Sequence, residues 1–449
     1  MNASRGFSCT VPSRGLLSRL ALAASLLTSA AIRADDTITV YPGVVYQTFR
    51  GFGGNFAQDR LATTHSNIDP TTGLDPYAEF CLANLNVKHA RVGLPLRVFE
   101  TSDGVFDYNA TNVVHVLNLM KYMQNHGIPF IASIWDLPNW MVDNPQDDAG
   151  RTIKAGYEDK VAQCIVTFLN KANTSQYAFA VPDAISFNEC TETWGNDVVV
   201  PSGKLNTIMT KLAAKSGGAG LKWILNDTGA DKGTSYAQPC WNAMTSANQG
   251  RVIAVAYHGW KSAANTASIT ALFNFAQSIN KPLWNLEVGE DPQATNTDWE
   301  TWAFASATAK NYYYGFKFGH VERADYWEYM QGFRLTDVNA TTFTSAGYVV
   351  KMLNDYIPNA FVMVNSAGTG NGAYNVAFKH PTDGRLRVFF INTAATQNIS
   401  FASLPAGTYT LRRCSASQNN VQIGTYTVGT GGTLTLNSVP MDSVNILWK

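Results

Sequence analysis

From about residue 50 to about residue 335, short apolar runs alternate with longer stretches whose hydrophobic residues recur at helical spacing. The runs predict strands at Thr48–Gly53, Lys88–Gly93, Pro129–Ile134, Ala184–Phe187, Lys222–Leu225, Val252–Tyr257, Pro282–Leu286 and Ala324–Trp327. The segments Asn112–Asn125, Tyr157–Lys171, Leu205–Lys215, Ser268–Ile279 and Trp299–Tyr314 predict helices. In Tyr157–Lys171, Val161, Cys164, Ile165, Phe168 and Leu169 fall on one helical face. Strands that are apolar throughout, rather than at every second residue, suit a parallel sheet covered on both faces. Eight of them with interleaved helices in about 280 residues match the size of a (β/α)8 barrel.

After about residue 340 the pattern becomes short alternating strands separated by Gly, Asn, Pro and Ser turns. Phe361–Val364, Asn375–Phe378, Leu386–Asn392, Gly407–Arg412, Gln422–Val428, Thr433–Leu436 and Ser443–Trp448 predict an antiparallel β-sandwich. Thr37–Val45 also reads as a strand, placed to pair into that sandwich and tie the two ends of the chain together. The expected division is an export signal at 1–34, a joining strand at 35–49, the barrel at 50–335 and the sandwich at 336–449. The signal reading rests on Arg5, Arg14 and Arg19 ahead of the apolar Leu20–Ile32, with Ala34 before Asp35 as the cleavage point. A secreted or periplasmic location follows from it, and an uncleaved tether is the competing reading. No later stretch approaches about 18 apolar residues, so no membrane span is expected.

Composition narrows the function. The 449 residues are 45% hydrophobic and only 15% charged, enough for a large core. Lys+Arg and Asp+Glu stand at 33 each, so nothing points to nucleic acid or an anionic membrane. Cys9 falls in the signal, and the other five cysteines form no CxxC. Cys190 with Cys240 is the candidate bridge, and five buried thiols are the alternative. No metal or cofactor motif is present: there is no HExxH or GxSxG, and the Gly51–Gly54 run lacks the partners of a phosphate loop. A monomer is expected.

In a parallel barrel, chemistry sits at the C-terminal ends of the strands. Strand four ends in Asn188 and Glu189, strand six in Tyr257 and His258, strand eight in Trp327 and Glu328. Glu287 follows strand seven, Arg91 lies on strand two, and strand three runs into Trp135 and Asp136. Two carboxylates from opposite sides of a barrel suggest glycoside hydrolysis, where one group protonates the leaving oxygen and the other attacks carbon or activates water. Their spacing in the chain leaves the stereochemical outcome open. Glu192 and Glu290 are nearby rivals, each further out in its loop. Asn226 lies in a sequon at the end of strand five, where a glycan would clash with the cleft.

These segments, in this order, resemble the clan A glycoside hydrolases, family 30 most of all. Gly51-Phe52-Gly53-Gly54-Asn55-Phe56 is similar to the family's first strand. Trp135-Asp136-Leu137-Pro138-Asn139-Trp140-Met141 is similar to its loop after strand three. Asn188-Glu189, Tyr257-His258-Gly259-Trp260 and Trp284-Asn285-Leu286-Glu287-Val288-Gly289 resemble its segments on strands four, six and seven. The resemblance spans nearly the whole chain after the signal. It departs at Leu286, where a small hydroxyl residue is common, and at Asp136-Leu137-Pro138.

The resemblance implies that Glu189 is the acid/base and Glu287 the nucleophile of a retaining double displacement without cofactor or metal. Arg91 would keep Glu287 ionised, and Asn188 would bind the sugar 2-hydroxyl. Tyr257 and His258 would position the nucleophile or bind sugar. Trp135 and Asp136 would line the cleft, and Trp140, Trp194, Trp260 and Trp327 would stack on sugar rings. The implied substrate is a β-linked polysaccharide, such as xylan, β-1,6-glucan or a related hemicellulose, cut internally. An exo-acting, glucosylceramidase-like β-glycosidase and a non-catalytic carbohydrate-binding barrel are the alternatives.

Overall fold

The computed structural model describes residues 35–449 apart from 57–66, 146–149, 192–197, 291–297 and 331–332. The expected signal at 1–34, Glu192 and Trp194 lie outside the described residues. Eight parallel strands close into a barrel in chain order: Phe52–Phe56, His89–Gly93, Phe130–Ile134, Ala184–Phe187, Trp223–Leu225, Val252–His258, Leu283–Val288 and Arg323–Tyr326. They are numbered here as barrel strands one to eight. Strand one starts four residues later than its apolar pattern suggests, because Thr48 closes a separate strand, Asp36–Thr48. Gly53 and Gly54 of strand one are pressed flat. A Cβ on Gly53 would sit 2.1 Å from the His89 ring, and one on Gly54 would sit 2.2 Å from the Tyr329 ring.

The helices form where their caps permit. Helix Trp302–Gly319 begins after Thr301, whose side chain accepts from the Phe304 N–H at 3.2 Å. Helix Glu158–Ala172 buries Val161, Cys164, Ile165 and Phe168 and carries Glu158 and Asp159 in its first turn and Lys171 in its last, matching the helix dipole. Helix Ser345–Tyr356, which the apolar spacing did not single out, packs beside Trp302–Gly319 and against the C-terminal sheet. Among the described residues no helix is long and apolar enough to cross a membrane. Cys81, Cys164, Cys190, Cys240 and Cys414 are all buried free thiols. The Cys190–Cys240 bridge is therefore corrected to two thiols, and burial pushes both up, Cys240 to about 12.

The C-terminal strands and Asp36–Thr48 form one nine-stranded sheet that curls into a sandwich. Asp36–Thr48 pairs antiparallel with Val362–Gly368 and parallel with Gln397–Ala402, a strand missing from the sequence reading. Strands from both ends of the sheet, through Tyr409, Leu411, Ile399, Phe401 and Leu436, share one core. Alternate residues on the other face, including Phe378, Phe389, Ile391 and Ile446, join the core around the barrel. Phe378 meets Phe49 at 5.8 Å and Phe316 at 5.2 Å between centroids. Burying a ring of this size contributes roughly 1.5–3 kcal/mol, so several such residues weld the two units.

A cavity of about 560 Å³ opens at the N-terminal mouth of the barrel, lined in part by Arg50, His89, Asp183, Trp284, Glu322 and Arg323. Its charges are largely paired: Glu322 with the exposed Arg50 at 2.6 Å, and His89 at 2.6 Å and Arg323 at 2.8 Å with the buried Asp325. This mouth reads as a stabilising face.

His320 plugs the seam between barrel and sandwich. It stacks on Tyr46 at 3.8 Å, touches Phe273 at 4.7 Å and lies 3.4 Å from the Met363 sulfur. Burial, with Lys317 nearby, pushes its pKa down to about 4 from 6.5. Between those two pH values the unfolded chain binds the extra proton, so stability falls as pH drops from about 6.5 to about 4. His320 sits at φ 43° after the helix end, a conformation Asn tolerates. The melting-temperature gap between the native protein and His320→Asn should shrink as pH falls through that window. A constant gap would show that His320 does not carry the dependence.

Candidate active site

The C-terminal ends of barrel strands two, four, five, six and seven converge on one cluster of charges. At its centre is Arg91, fully buried on strand two. Its Nη1 donates to Glu287 Oε1 at 2.7 Å and to Asn55 Oδ1 at 2.8 Å. Its Nη2 donates to Asp227 Oδ2 at 2.9 Å and to Asn188 Oδ1, and its Nε donates to Ser133 Oγ at 2.9 Å. The plane of the guanidinium lies 4.4 Å from the Trp135 ring. A guanidinium fits this place because its rigid fork supplies five donors at once, which an ammonium cannot.

Glu287 receives a donor on each oxygen. Arg91 takes Oε1, and Oε2 faces His258 Nδ1 at 3.2 Å and the Trp260 indole N–H at 2.9 Å. Burial, with Glu189 and Asp227 nearby, raises its pKa on balance, against the downward pull of His258 and Arg91. Arg91, His258 and Trp260 each present a hydrogen-bearing group to its oxygens. Glu189 faces the same ring nitrogen of His258, with Oε1 at 3.4 Å from Nδ1, and its side chain is 20% exposed against 4% for Glu287. It follows strand four at φ 42°, where few glutamates sit, and its N–H is held by the Asp227 carbonyl at 2.7 Å. One oxygen of Glu189, one oxygen of Glu287 and a ring nitrogen of His258 all lie within 4.8 Å of one another.

His258 is fully buried and bonds Asp227 Oδ1 through Nε2 at 3.0 Å. Burial opposes its charge, but Glu287, with Asp227 and Glu189, pushes its pKa up to about 10. Both ring nitrogens face carboxylates, so His258 is a double donor.

The structure thus brings Glu189, Glu287, Arg91, Asn188 and His258 together, with Trp260 on the Glu287 carboxylate. Trp135 and Trp327 pack at 6.0 Å between centroids, and Trp260 and Phe333 extend the same aromatic wall. Other expected residues go elsewhere. Tyr257 is turned outward and fully buried, its hydroxyl tucked beside Gly315 and Gly319 of helix Trp302–Gly319. The reason is strand parity: Ala254 and Ala256 point into the barrel, so Val255 and Tyr257 point out. Asp136 is clamped by Arg151 at 2.9 Å and Arg97 at 3.2 Å and orders the loop after strand three. Trp140 packs on Tyr157 and donates to the Glu100 carbonyl at 3.1 Å, away from the glutamates. Glu290 accepts from Asn311 at 2.9 Å, also away from the cluster. Asn226 is buried and donates to the Ala256 carbonyl at 2.9 Å, so the fold leaves no room for a glycan there.

Four residues of the cluster escaped the sequence reading: Asn55, Ser133, Ser186 and Asp227. Asp227 follows strand five by the same rule that singled out the other strand ends. Ser133 and Ser186 are lone hydroxyls in otherwise apolar strands, FIASI and AISF, which was their signal.

The parity of strand seven is broken. Tyr257 pairs with Asn285, but the next residue, His258, pairs with Glu287. The extra residue is a β-bulge. Trp284 and Leu286 fill the barrel interior, so strict alternation would send Glu287 outward. The bulge turns it onto the cluster instead.

No family model matches the chain, and no curated protein matches it. Solved structures do. A family 30 endoxylanase from Clostridium papyrosolvens has a TM-score of 0.68 and 17% identity over 92% of this chain and 99% of its own. A family 30 subfamily 8 xylanase from Clostridium acetobutylicum has a TM-score of 0.69 and 18% identity, over 92% and 99%. An endo-β-1,6-glucanase has a TM-score of 0.61 and 16% identity, over 92% and 93%. The shared feature is the fold: a closed eight-stranded barrel with an appended β-sandwich, as in these clan A glycoside hydrolases.

Removing Arg91 would leave the carboxylates of Asp227 and Glu287 buried without their cation. Losing one partner of a buried pair destabilises by about 3–5 kcal/mol. Arg91→Met should lower stability by that amount in urea unfolding at pH 7, and Arg91→Lys should recover only part of it. A loss under about 1 kcal/mol would mean the cluster is not held by charge pairing.

Proposed function

We propose that this chain is a retaining O-glycoside hydrolase of a β-linked polysaccharide. The observation that carries the reading is the pair of carboxylates with oxygens within 4.8 Å across the barrel mouth. Retaining enzymes keep their carboxyl groups about 5–5.5 Å apart, and inverting ones leave roughly 6.5–9.5 Å for a water. The two environments also differ. Glu287 is buried among donors, as a nucleophile must be to stay ionised. Glu189 sits at the exposed side, where a leaving group and then a water can reach it.

In the first step the Glu189 carboxyl gives its proton to the glycosidic oxygen while a Glu287 oxygen attacks the anomeric carbon. The carbon–oxygen bond breaks, the leaving alcohol departs, and a glycosyl ester on Glu287 remains. In the second step the Glu189 carboxylate takes a proton from water. The resulting oxygen attacks the same carbon, the ester breaks, and both glutamates return to their starting forms. Asn188 fits a role at the sugar. Its Oδ1 is taken by Arg91, while its buried Nδ2 has no partner among the described residues and can donate to a 2-hydroxyl. The wall of Trp135, Trp260 and Trp327 offers flat apolar faces to a neutral sugar.

Export from the cell, endo action and a xylan or β-1,6-glucan substrate belong to this proposal. They rest on the N-terminal pattern and on what the similar structures are named to act on. Incubation with plant, fungal and algal polysaccharides followed by product sizing will separate the cases. A ladder of oligosaccharides is expected. Release of monosaccharide alone would favour the exo reading, and binding without any product would favour the carbohydrate-binding barrel. Glu287→Gln and Glu189→Gln should each lower turnover by several orders of magnitude with unchanged circular dichroism. Azide should rescue Glu189→Ala on an activated aryl glycoside and yield a β-glycosyl azide. An α-glycosyl product would indicate inversion.

A further inference from the structure

We infer that Asp227 is the positioning residue of this site, holding through Arg91 and His258 the two cations that grip Glu287. The inference rests on the hydrolase reading above for its kinetic consequence, but not for its structural one. Asp227 is fully buried, and its carboxylate oxygens are bonded by Arg91, His258, Ser133 and Ser186. Its contacts divide between its own two oxygens. Oδ1 accepts from His258 Nε2 at 3.0 Å. Oδ2 accepts from Arg91 Nη2 at 2.9 Å, Ser186 Oγ at 2.6 Å and Ser133 Oγ at 3.2 Å.

The same division reappears at Glu287. Arg91 reaches Oε1, and His258 faces Oε2. The two cations are thus sandwiched between two carboxylates, one behind and one at the reacting position. Asp227 also orients the acid/base side: its backbone carbonyl holds the Glu189 N–H at 2.7 Å.

The charges that face His258 are Asp227 from the end of strand five, Glu189 from strand four and Glu287 from strand seven. Those facing Asp227 are Arg91 and His258. Burial works against a charge on Asp227, yet Arg91 and His258 hold its carboxyl well below the usual range. Without that rear anion, a fully buried imidazolium would have only the reacting carboxylates to balance it, and one of those must become an ester during turnover. Asp227 keeps His258 charged and in place through that step, when Glu287 is neutral. Neither Ser133 nor Ser186 can replace it, because a hydroxyl brings no charge.

The test is ¹⁵N NMR of histidine-labelled protein, with His258 assigned from a His258→Gln sample. In the native protein His258 should keep protons on both ring nitrogens up to at least about pH 9. Asp227→Asn preserves shape but removes the charge, and should bring the His258 titration down into about pH 5–8. It should also lower kcat by about 10–100-fold, the usual range for loss of an outer-shell partner, with KM changed less than about threefold. Ser186→Ala keeps the carboxylate and should keep His258 protonated at pH 7.

A native His258 that titrates near its ordinary value would overturn the inference, whether or not Asp227→Asn folds. So would an Asp227→Asn protein whose His258 is unmoved, or a Ser186→Ala protein that loses the His258 proton equally. Failure of the hydrolase reading would appear separately, as unchanged turnover in Glu287→Gln.

Discussion

The whole site depends on keeping several charges dry in one place. Arg91, His258, Asp227 and Glu287 are all buried beneath the barrel mouth, two formal cations against two formal anions. No one of them could be buried alone, since an unpaired interior charge costs several kcal/mol or loses its proton state. Together they neutralise one another and leave Glu189 as the partly exposed, fifth group. The cluster sets one carboxylate, Glu287, in a lattice of donors already fixed in place around it.

The barrel is what makes such a lattice possible. Its strands deliver side chains from seven separate segments to one point, and hydrogen-bonded neighbours fix each strand end in register. Strands two, four, five, six and seven each supply one charged member, and strands one, three and four add Asn55, Ser133 and Ser186 as neutral spacers. Below them, Ile131, Ala184, Ile224, Trp284 and Leu286 seal the interior. That seal keeps the dielectric low and the pairing strong. The sandwich takes no part in this cluster. It braces the barrel through Phe378 and the seam around His320, and it seats the strand Asp36–Thr48 between Val362–Gly368 and Gln397–Ala402.

Division of labour between the two glutamates follows from surroundings rather than from residue type. Glu287 is enclosed by Arg91, His258 and Trp260, and Glu189 stands at the edge with His258 between them. His258 therefore communicates with both. A proton-rich imidazole facing both carboxylates links their charge states, so a change at one is felt at the other. The aromatic wall of Trp135, Trp260 and Trp327 completes the mouth, and the loop carrying Asp136 is held in shape by Arg97 and Arg151 instead of contacting the cluster.

Much of this was legible along the chain. The apolar runs placed all eight barrel strands, and the polar residues that end them placed Arg91, Asn188, Glu189, His258 and Glu287. Alternation in the last hundred residues gave the sandwich strands except Gln397–Ala402, whose polar Gln397, Asn398 and Ser400 hid its pairing with the N-terminal strand. A stricter use of period two would have turned Tyr257 away, whereas Asp227 faces the cluster only because Asn226, at φ 66°, breaks the alternation after strand five. Other features lay beyond any local pattern. Leu286 and Glu287 both face inward because a bulge interrupts the parity of strand seven, and that depends on how strand six pairs beside it. Trp140 and Asp136 carry the right chemistry for a cleft but are claimed by Glu100, Arg97 and Arg151, residues distant in the chain. Sequence by itself determined which side chains reach the mouth of the barrel, because hydrophobic burial sets where each strand begins and ends. Only the tertiary structure decided which of them meet, because charges select partners by distance in space, not along the polymer.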